Sequence, residues 1–272
     1  MLLALGASAA VPLAAQKGGE AHLVLSAFGG VHAGRDLWHI PNQPVIAVQS
    51  TSGGLMPTGQ HDTLTLGRDM ASGIIAGASG AYFPNPHYGF EVEIALITET
   101  LESSCSVRQS QPPVPNDIVP ELCSSLQGQG ISSSAVSFSA GVVGRINAGK
   151  SMFPYVRLDG GIVARTHSTL EMTGTYTNAS GNVVTTTLIA DDNPSNTGPH
   201  VTAALGLAVS LGPGYQFRLE GRDIMMRLDA PTGPGDPSSG TLVLPHSAKF
   251  YHIFALTATL DVVLEKQRKR RY

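Results

Sequence analysis

The residues in this chain best able to do chemistry are one glycine-rich step, nine histidines, two His-Ser pairs and two cysteines. Gly144-Arg145-Ile146-Asn147-Ala148-Gly149-Lys150-Ser151 matches G-x-x-x-x-G-K-S in full. In a P-loop the backbone amides of such a run cradle phosphates, with Lys150 on the β/γ-phosphates and Ser151 on Mg²⁺. That chemistry needs a strand before the run and a helix after it. A strand-like stretch does precede it, at 135–143, but Met152-Phe153-Pro154-Tyr155-Val156-Arg157-Leu158-Asp159 alternates like a strand and carries a Pro in its first turn. With no other α/β units in the chain, Gly149-Lys150 reads as a turn, and no nucleotide is expected.

His32, His39 and His61 lack a compact ligand spacing such as H-E-x-x-H, and Asp191-Asp192-Asn193 is followed by no EF-hand pattern, so no metal or cofactor is expected. His167-Ser168 and His246-Ser247 place a base beside a nucleophile in sequence, but neighbours in a chain do not make an oriented triad. No G-x-S-x-G elbow occurs either. The expectation is a protein that is not an enzyme. Cys105 and Cys123 share one Pro/Ser-rich segment with no C-x-x-C and no nearby His, which reads as a disulfide stapling a loop. Closing a loop of that length contributes about 3 kcal/mol on the chain-entropy model.

The elements that must position these residues are strands. Charged residues make up only 14% of the 272, and glycine is abundant at 31. A net charge of −3 excludes the strongly basic balance of a nucleic-acid binder. No run reaches the ~18 apolar residues of a membrane helix. Residues 2–15, LLALGASAAVPLAA, end in small residues that suit signal-peptidase cleavage, so 1–19 are expected to be a removed export signal. No Lys or Arg precedes the run, and the signal is expected to be truncated at its start.

Eight candidate strands follow, at 21–33, 70–83, 88–99, 135–147, 152–166, 199–211, 214–228 and 250–265. Each exceeds the about 5–6 residues usual in soluble sheets. Short connections, at Pro84-Asn85-Pro86-His87, Ala148-Gly149-Lys150-Ser151 and Gly212-Pro213, alternate with long ones at 34–69, 100–134, 167–198 and 229–249. An antiparallel up-and-down barrel over residues 20–265 puts the four long loops at one end and the three short turns at the other. That is the asymmetry of a membrane barrel with external loops and periplasmic turns.

The faces decide between lipid and water outside. Phe90, Val92, Ile94 and Leu96 share one face of their strand, with Glu91, Glu93 and Ala95 on the other. Phe217 and Leu219 likewise oppose Arg218, Glu220 and Arg222. The second face is mostly Gly, Ala, Ser and Thr with a few charges, as a narrow barrel interior requires. Eight aromatic residues lie beside the short turns (Tyr82, Phe83, Tyr88, Phe90, Phe153, Tyr155, Tyr215 and Phe217), and are expected to form an interfacial girdle.

This topology, with Phe217-Arg218-Leu219-Glu220-Gly221-Arg222-Asp223 as its seventh strand, resembles the small eight-stranded outer-membrane barrels of the OmpA transmembrane-domain and OmpX-like group. The resemblance implies an all-β, integral outer-membrane protein with little or no channel activity. Where that group stops at a terminal aromatic, this chain runs past Val263-Leu264-Glu265 into a basic tail, 266–272, expected on the periplasmic side.

Inward parity collects Glu91, Glu93, Arg145, Arg157, Asp159, Arg218, Glu220, Arg222 and Asp261. Four arginines facing five carboxylates should pair into a salt-bridged plug, because an unpaired buried charge is strongly unfavourable. Asp223 falls on the lipid-facing parity, tolerable only near the interface. Residues 166–190 read as a Thr-rich hairpin around Asn178-Ala179-Ser180-Gly181 that lengthens the wall. The expected partners are outer-membrane lipid and lipopolysaccharide, with a surface partner at the external loops and no nucleic acid; the chain is expected to be monomeric. The alternatives are a soluble exported barrel holding a small apolar ligand, and a lipid-modifying hydrolase at the external rim.

Overall fold

The computed structural model describes residues 22–148, 150–191, 196–232 and 245–265. The segments 1–19 and 266–272, together with Gly149, Asp192 and Asn193, lie outside the described residues. In chain order the elements are β1 (His22–His32), β2 (Arg35–Thr51), β3 (Gly54–Met70), β4 (Gly73–Phe83), β5 (Tyr88–Arg108) and α1 (Val119–Leu126). They continue with β6 (Gly130–Arg145), β7 (Met152–Arg165), β8 (Met172–Thr177), β9 (Val183–Ile189), β10 (Thr197–Gly212), β11 (Tyr215–Pro231) and β12 (His246–Glu265).

Eight of these strands close a barrel. The antiparallel order runs β1-β4-β5-β6-β7-β10-β11-β12, and β12 returns to β1 over the full length of β1, from His22↔Glu265 to His32↔Ala255. All eight strands expected from the pattern are these staves. Closure leaves no unpaired edge, the condition for a sheet in hydrocarbon. The turns between staves are short for local reasons. At 84–87 the Asn85 carboxamide oxygen accepts from the amides of His87 (2.9 Å) and Tyr88 (3.1 Å). Gly214, at φ +80°, takes the left-handed position between β10 and β11. The G-x-x-x-x-G-K-S run is the β6–β7 turn and leads into a strand, so it lacks the helix N-terminus that a phosphate site needs.

The long connections are more structured than the pattern suggested. The first contains the β2–β3 hairpin, and β3 pairs through Thr63–Met70 with the upper part of β5, Leu101–Arg108. The second contains α1. The third contains the anticipated hairpin, turning at Asn178–Gly181 with Gly181 at φ +81°. It does not lengthen the barrel wall, however. β8 and β9 form a separate two-stranded sheet, and Tyr176 and Val184 pack on Ile118 and Leu122 at α1. Burying that apolar face against the helix is available to a free hairpin and not to one continuing the staves.

The outer wall is an apolar belt: Tyr88, Phe90, Val92, Ile94 and Leu96 on β5 and Phe254, Leu256 and Leu260 on β12 are all exposed. An exposed apolar surface that girdles a closed barrel is the signature of a lipid-facing wall. The aromatic girdle needs one correction. Tyr82, Tyr88, Phe90, Tyr215 and Phe217 face outward, but Phe83, Phe153 and Tyr155 are buried inside, where they cluster with Val24, Ala81, Val143 and Ala208. Adjacent residues on a strand face opposite ways, so Tyr82 and Phe83 cannot share a girdle.

Candidate functional site: the barrel interior

The interior has two layers. On the turn side, inward positions of β5, β7, β11 and β12 bring eight of the nine expected network residues into ion pairs. Arg157 is the hub. Its guanidinium reaches Glu91 at 3.3 Å, Asp159 at 3.0 Å and Glu220 at 3.3 Å, and also pairs with Glu93. Arg222 holds Glu93 at 2.9 Å and also contacts Glu220, while Arg218 holds Asp261 at 2.9 Å. Side chains from opposite sides of the cylinder thus meet at one arginine only 1% exposed. Tyr155 donates to Glu220 at 2.8 Å and Ser26 accepts from Arg218 at 3.0 Å.

Arg145 departs from the expectation. It makes no ion pair among the described residues and stacks instead over Phe83, 3.4 Å from the ring centroid, with Phe153 at 5.5 Å. It sits at the last position of β6, level with the inward aromatic cluster and below the carboxylates. A guanidinium there gains more from a ring face than from a distant charge. Arg222 also lies over Phe28, at 4.1 Å.

Above this layer the inward face turns apolar, which the sequence reading did not anticipate. Ile224, Met226 and Leu228 of β11, Ile97 and Leu101 of β5, and Ile253 of β12 form one core with Trp38, Leu64 and Leu66 of the β2–β3 hairpin. Met172, Leu188 and Ile189 join it from the third connection. The same parity that carries Arg218, Glu220 and Arg222 continues into Ile224, Met226 and Leu228. One buried pair missed from the sequence lies in this layer: Arg165 to Glu99 at 3.5 Å. Both follow from inward parity, being Arg157 plus eight and Glu93 plus six. His32 donates from Nε2 to the Thr98 carbonyl at 2.7 Å nearby.

The staple is formed. Cys105 of β5 and Cys123 of α1 are disulfide-bonded, with Cα atoms 5.3 Å apart, and both are buried in the external core. Trp38 Nε1 donates to the Thr169 carbonyl at 3.1 Å, and the buried Arg68 donates to Ser103 Oγ and to the Glu171 carbonyl. Burial with mostly neutral partners pulls the Arg68 guanidinium down to about 10.

Of the other singled-out residues, Ser168 and Asp191 are the pair that meets among the described residues. Ser168 Oγ donates to Asp191, joining the two ends of the third long connection, and accepts from the Leu170 amide at 3.0 Å in a local turn, while His167 is exposed. Neither His246 nor His167 bonds its neighbouring serine among the described residues. His39 and His61 are exposed at separate places on the β2–β3 hairpin. No group of three or more His, Cys, Asp or Glu gathers at metal distance among the described residues.

No protein-family model and no curated protein matches the chain. Among solved structures it is similar to the outer membrane protein OprG from Pseudomonas aeruginosa, at 9% identity over 91% of this chain and 97% of that one, TM-score 0.48. It is also similar to Neisserial surface protein A, at 11% identity over 89% and 97%, TM-score 0.41. A third is the outer membrane protein AlkL, at 11% identity over 95% and 97%, TM-score 0.35. The closed strand order, apolar wall and charged interior themselves make this chain an eight-stranded transmembrane β-barrel of the type that the sequence pattern resembles.

Proposed function

We propose that this chain is an exported, integral outer-membrane barrel that does not conduct, and that presents a rigid external cap to partners at the cell surface. The observation that carries this reading is the Arg157 hub, which ties three strands across the lumen within one ion-paired layer. An eight-stranded interior has room for side chains or one small ligand and little else. Here a charged layer and an apolar layer above it both reach into that room, which supports a closed lumen. Residues 1–19 serve as the export signal and 266–272 as a periplasmic tail in this reading. The wall's partners are lipid acyl chains and, at the external rim, the headgroups of outer-leaflet lipid.

The folded external elements favour surface presentation over transport. β2, β3, α1, β8 and β9 are pinned to one another by the disulfide, the Trp38 and Arg68 bonds and the shared core. A rigid surface loses little conformational entropy on binding. Planar-bilayer recording of the purified, refolded barrel tests the closed lumen. The expected trace is flat across applied voltages; a steady conductance in the wild type overturns the reading.

A further inference from the structure

Two carboxylates outside the membrane face each other without a counter-charge. Asp62 of β3 is fully buried, and its Oδ1 accepts from the Ser110 amide at 2.8 Å. Asp117, just before α1, accepts at Oδ1 from the amides of Val48 and Val119, both at 3.2 Å. Each group therefore has one oxygen satisfied by backbone. The remaining oxygens, Asp62 Oδ2 and Asp117 Oδ2, are both shut off from solvent and receive no donor, and the two carboxyl groups lie in hydrogen-bonding contact. Two ionised carboxylates in contact at a buried point repel, which favours a proton on one of them.

The cations beside the pair point away from it: His61, next to Asp62 on β3, and Arg108, opposite Thr63 on β5, are both exposed. β3 contributes Gln60, whose Oε1 accepts from Ser110 Oγ at 3.0 Å, and β2 contributes Gln43, Val45 and Val48. α1 contributes Val119. Among the described residues no Lys, Arg or His makes an ion pair with either carboxylate, and the charge of Asp62 bears on Asp117.

We propose that Asp62 and Asp117 form a proton-sharing clasp that fastens the external cap in acid and loosens it toward neutral pH. The clasp sits at a joint. Around Asp117 the segment before α1 adds to the edge of β2, through Ser50 N to Asn116 O and Ile118 N to Val48 O, each 3.0 Å. With the proton present, an O–H···O bond links β3 to the root of α1. With it gone, two negative charges meet at the same joint, and the Asn116–Ile118 addition to β2 weakens. Burial and Asp62 push the Asp117 carboxyl up to about 6. The sign follows: the closed form binds the extra proton, so the clasp is complete below the ordinary carboxylate value and is lost as pH rises through about 6. The disulfide from Cys105 keeps α1 attached to β5 in either state, so the change is local.

The test uses full-length protein refolded in detergent micelles. Carboxyl ¹³C chemical shifts of Asp62 and Asp117 are followed from pH 3 to 8 alongside hydrogen exchange of the Val48, Ser50 and Ile118 amides, corrected for the intrinsic pH dependence. The expected result is a titration of Asp117 near pH 6, with at least tenfold faster corrected exchange at pH 7.5 than at pH 5. Asp62→Asn should abolish both the high titration and the pH dependence of exchange, while the turn-side part of β11, Tyr215 to Glu220, exchanges unchanged. An Asp117 titration near 4 in the wild type would overturn the proposal, and so would corrected exchange that does not vary with pH. Calcium at millimolar level restoring protection at pH 7.5, with EDTA removing it at pH 5, would also overturn it, because the occupant would then be a metal ion.

Discussion

Asp223 of β11 and His252 of β12 pair across the outer wall, with His252 Nδ1 donating to Asp223 Oδ2 at 2.9 Å. They lie where β1 leaves the barrel, since Ala33 there donates to the Phe254 carbonyl at 2.8 Å, directly across the ladder from Asp223. An aspartate on the lipid-facing parity is thereby given a partner at the external edge of the apolar belt, and both side chains stay partly exposed.

That pairing predicts non-additivity. Asp223→Leu and His252→Leu each leave one polar group unpaired at the interface and should each destabilise the barrel. The double variant should be less destabilised than the sum, with a coupling of about 0.5–3 kcal/mol. Urea unfolding in lipid vesicles, run as a double-mutant cycle, measures it, and strict additivity would mean that the pair is incidental.

Arg157→Met removes the hub and leaves Glu91, Glu93, Asp159 and Glu220 facing one another. Breaking a buried pair on one side costs about 3–5 kcal/mol. The variant should lose its folded, fast-migrating band at a lower temperature than the wild type. Adding Glu93→Gln should recover part of the loss by removing one of the uncompensated charges.

Gly206 is required by Tyr155. A Cβ at 206 would lie 2.5 Å from the ring, and the ring cannot retreat, because it is buried and bonded to Glu220. Gly206→Ala should cost about 1–3 kcal/mol by overpacking. Gly29→Ala, where a Cβ meets nothing within 4 Å, should be near neutral in the same vesicle assay.

Reduction of the Cys105–Cys123 bond, or Cys123→Ser, should free α1 without opening the barrel. Chain entropy puts the loss at about 3 kcal/mol. Limited proteolysis should then cut between 109 and 129 while the heat-dependent shift on gels persists. Loss of that shift would mean that the staple supports the staves themselves.

Much of the barrel was legible because its signals are local and redundant. Inward and outward parity, strand length and the alternation of short and long connections placed all eight staves. Parity likewise brought Glu91, Glu93, Arg157, Asp159, Arg218, Glu220, Arg222 and Asp261 together. What failed is instructive. Phe83, Phe153 and Tyr155 were placed by nearness to turns, although parity already put them inside. The apolar upper layer follows from the same parity, with Ile224, Met226 and Leu228 continuing the face of Arg222.

The β2–β3 hairpin was not legible in the same way. Pro41, Pro44 and Pro57 interrupt its alternation, and irregular register at Asp36/Trp38, Ile40/Gln43 and Ile46/Val48 breaks its period. Its apolar residues make sense only once β5 offers Leu101–Arg108 as a template. The Asp62–Asp117 contact joins positions distant in sequence through that same hairpin, so no spacing rule exposes it.

The most direct test of the central claim, a lipid-facing closed barrel, is the gel mobility of the native protein from urea-washed outer-membrane fractions, heated against unheated in SDS. A closed ladder with an apolar exterior should stay in that fraction and migrate differently until boiled. Recovery in the soluble periplasmic fraction with no heat-dependent shift would contradict it and would require the apolar wall to be covered by something other than lipid.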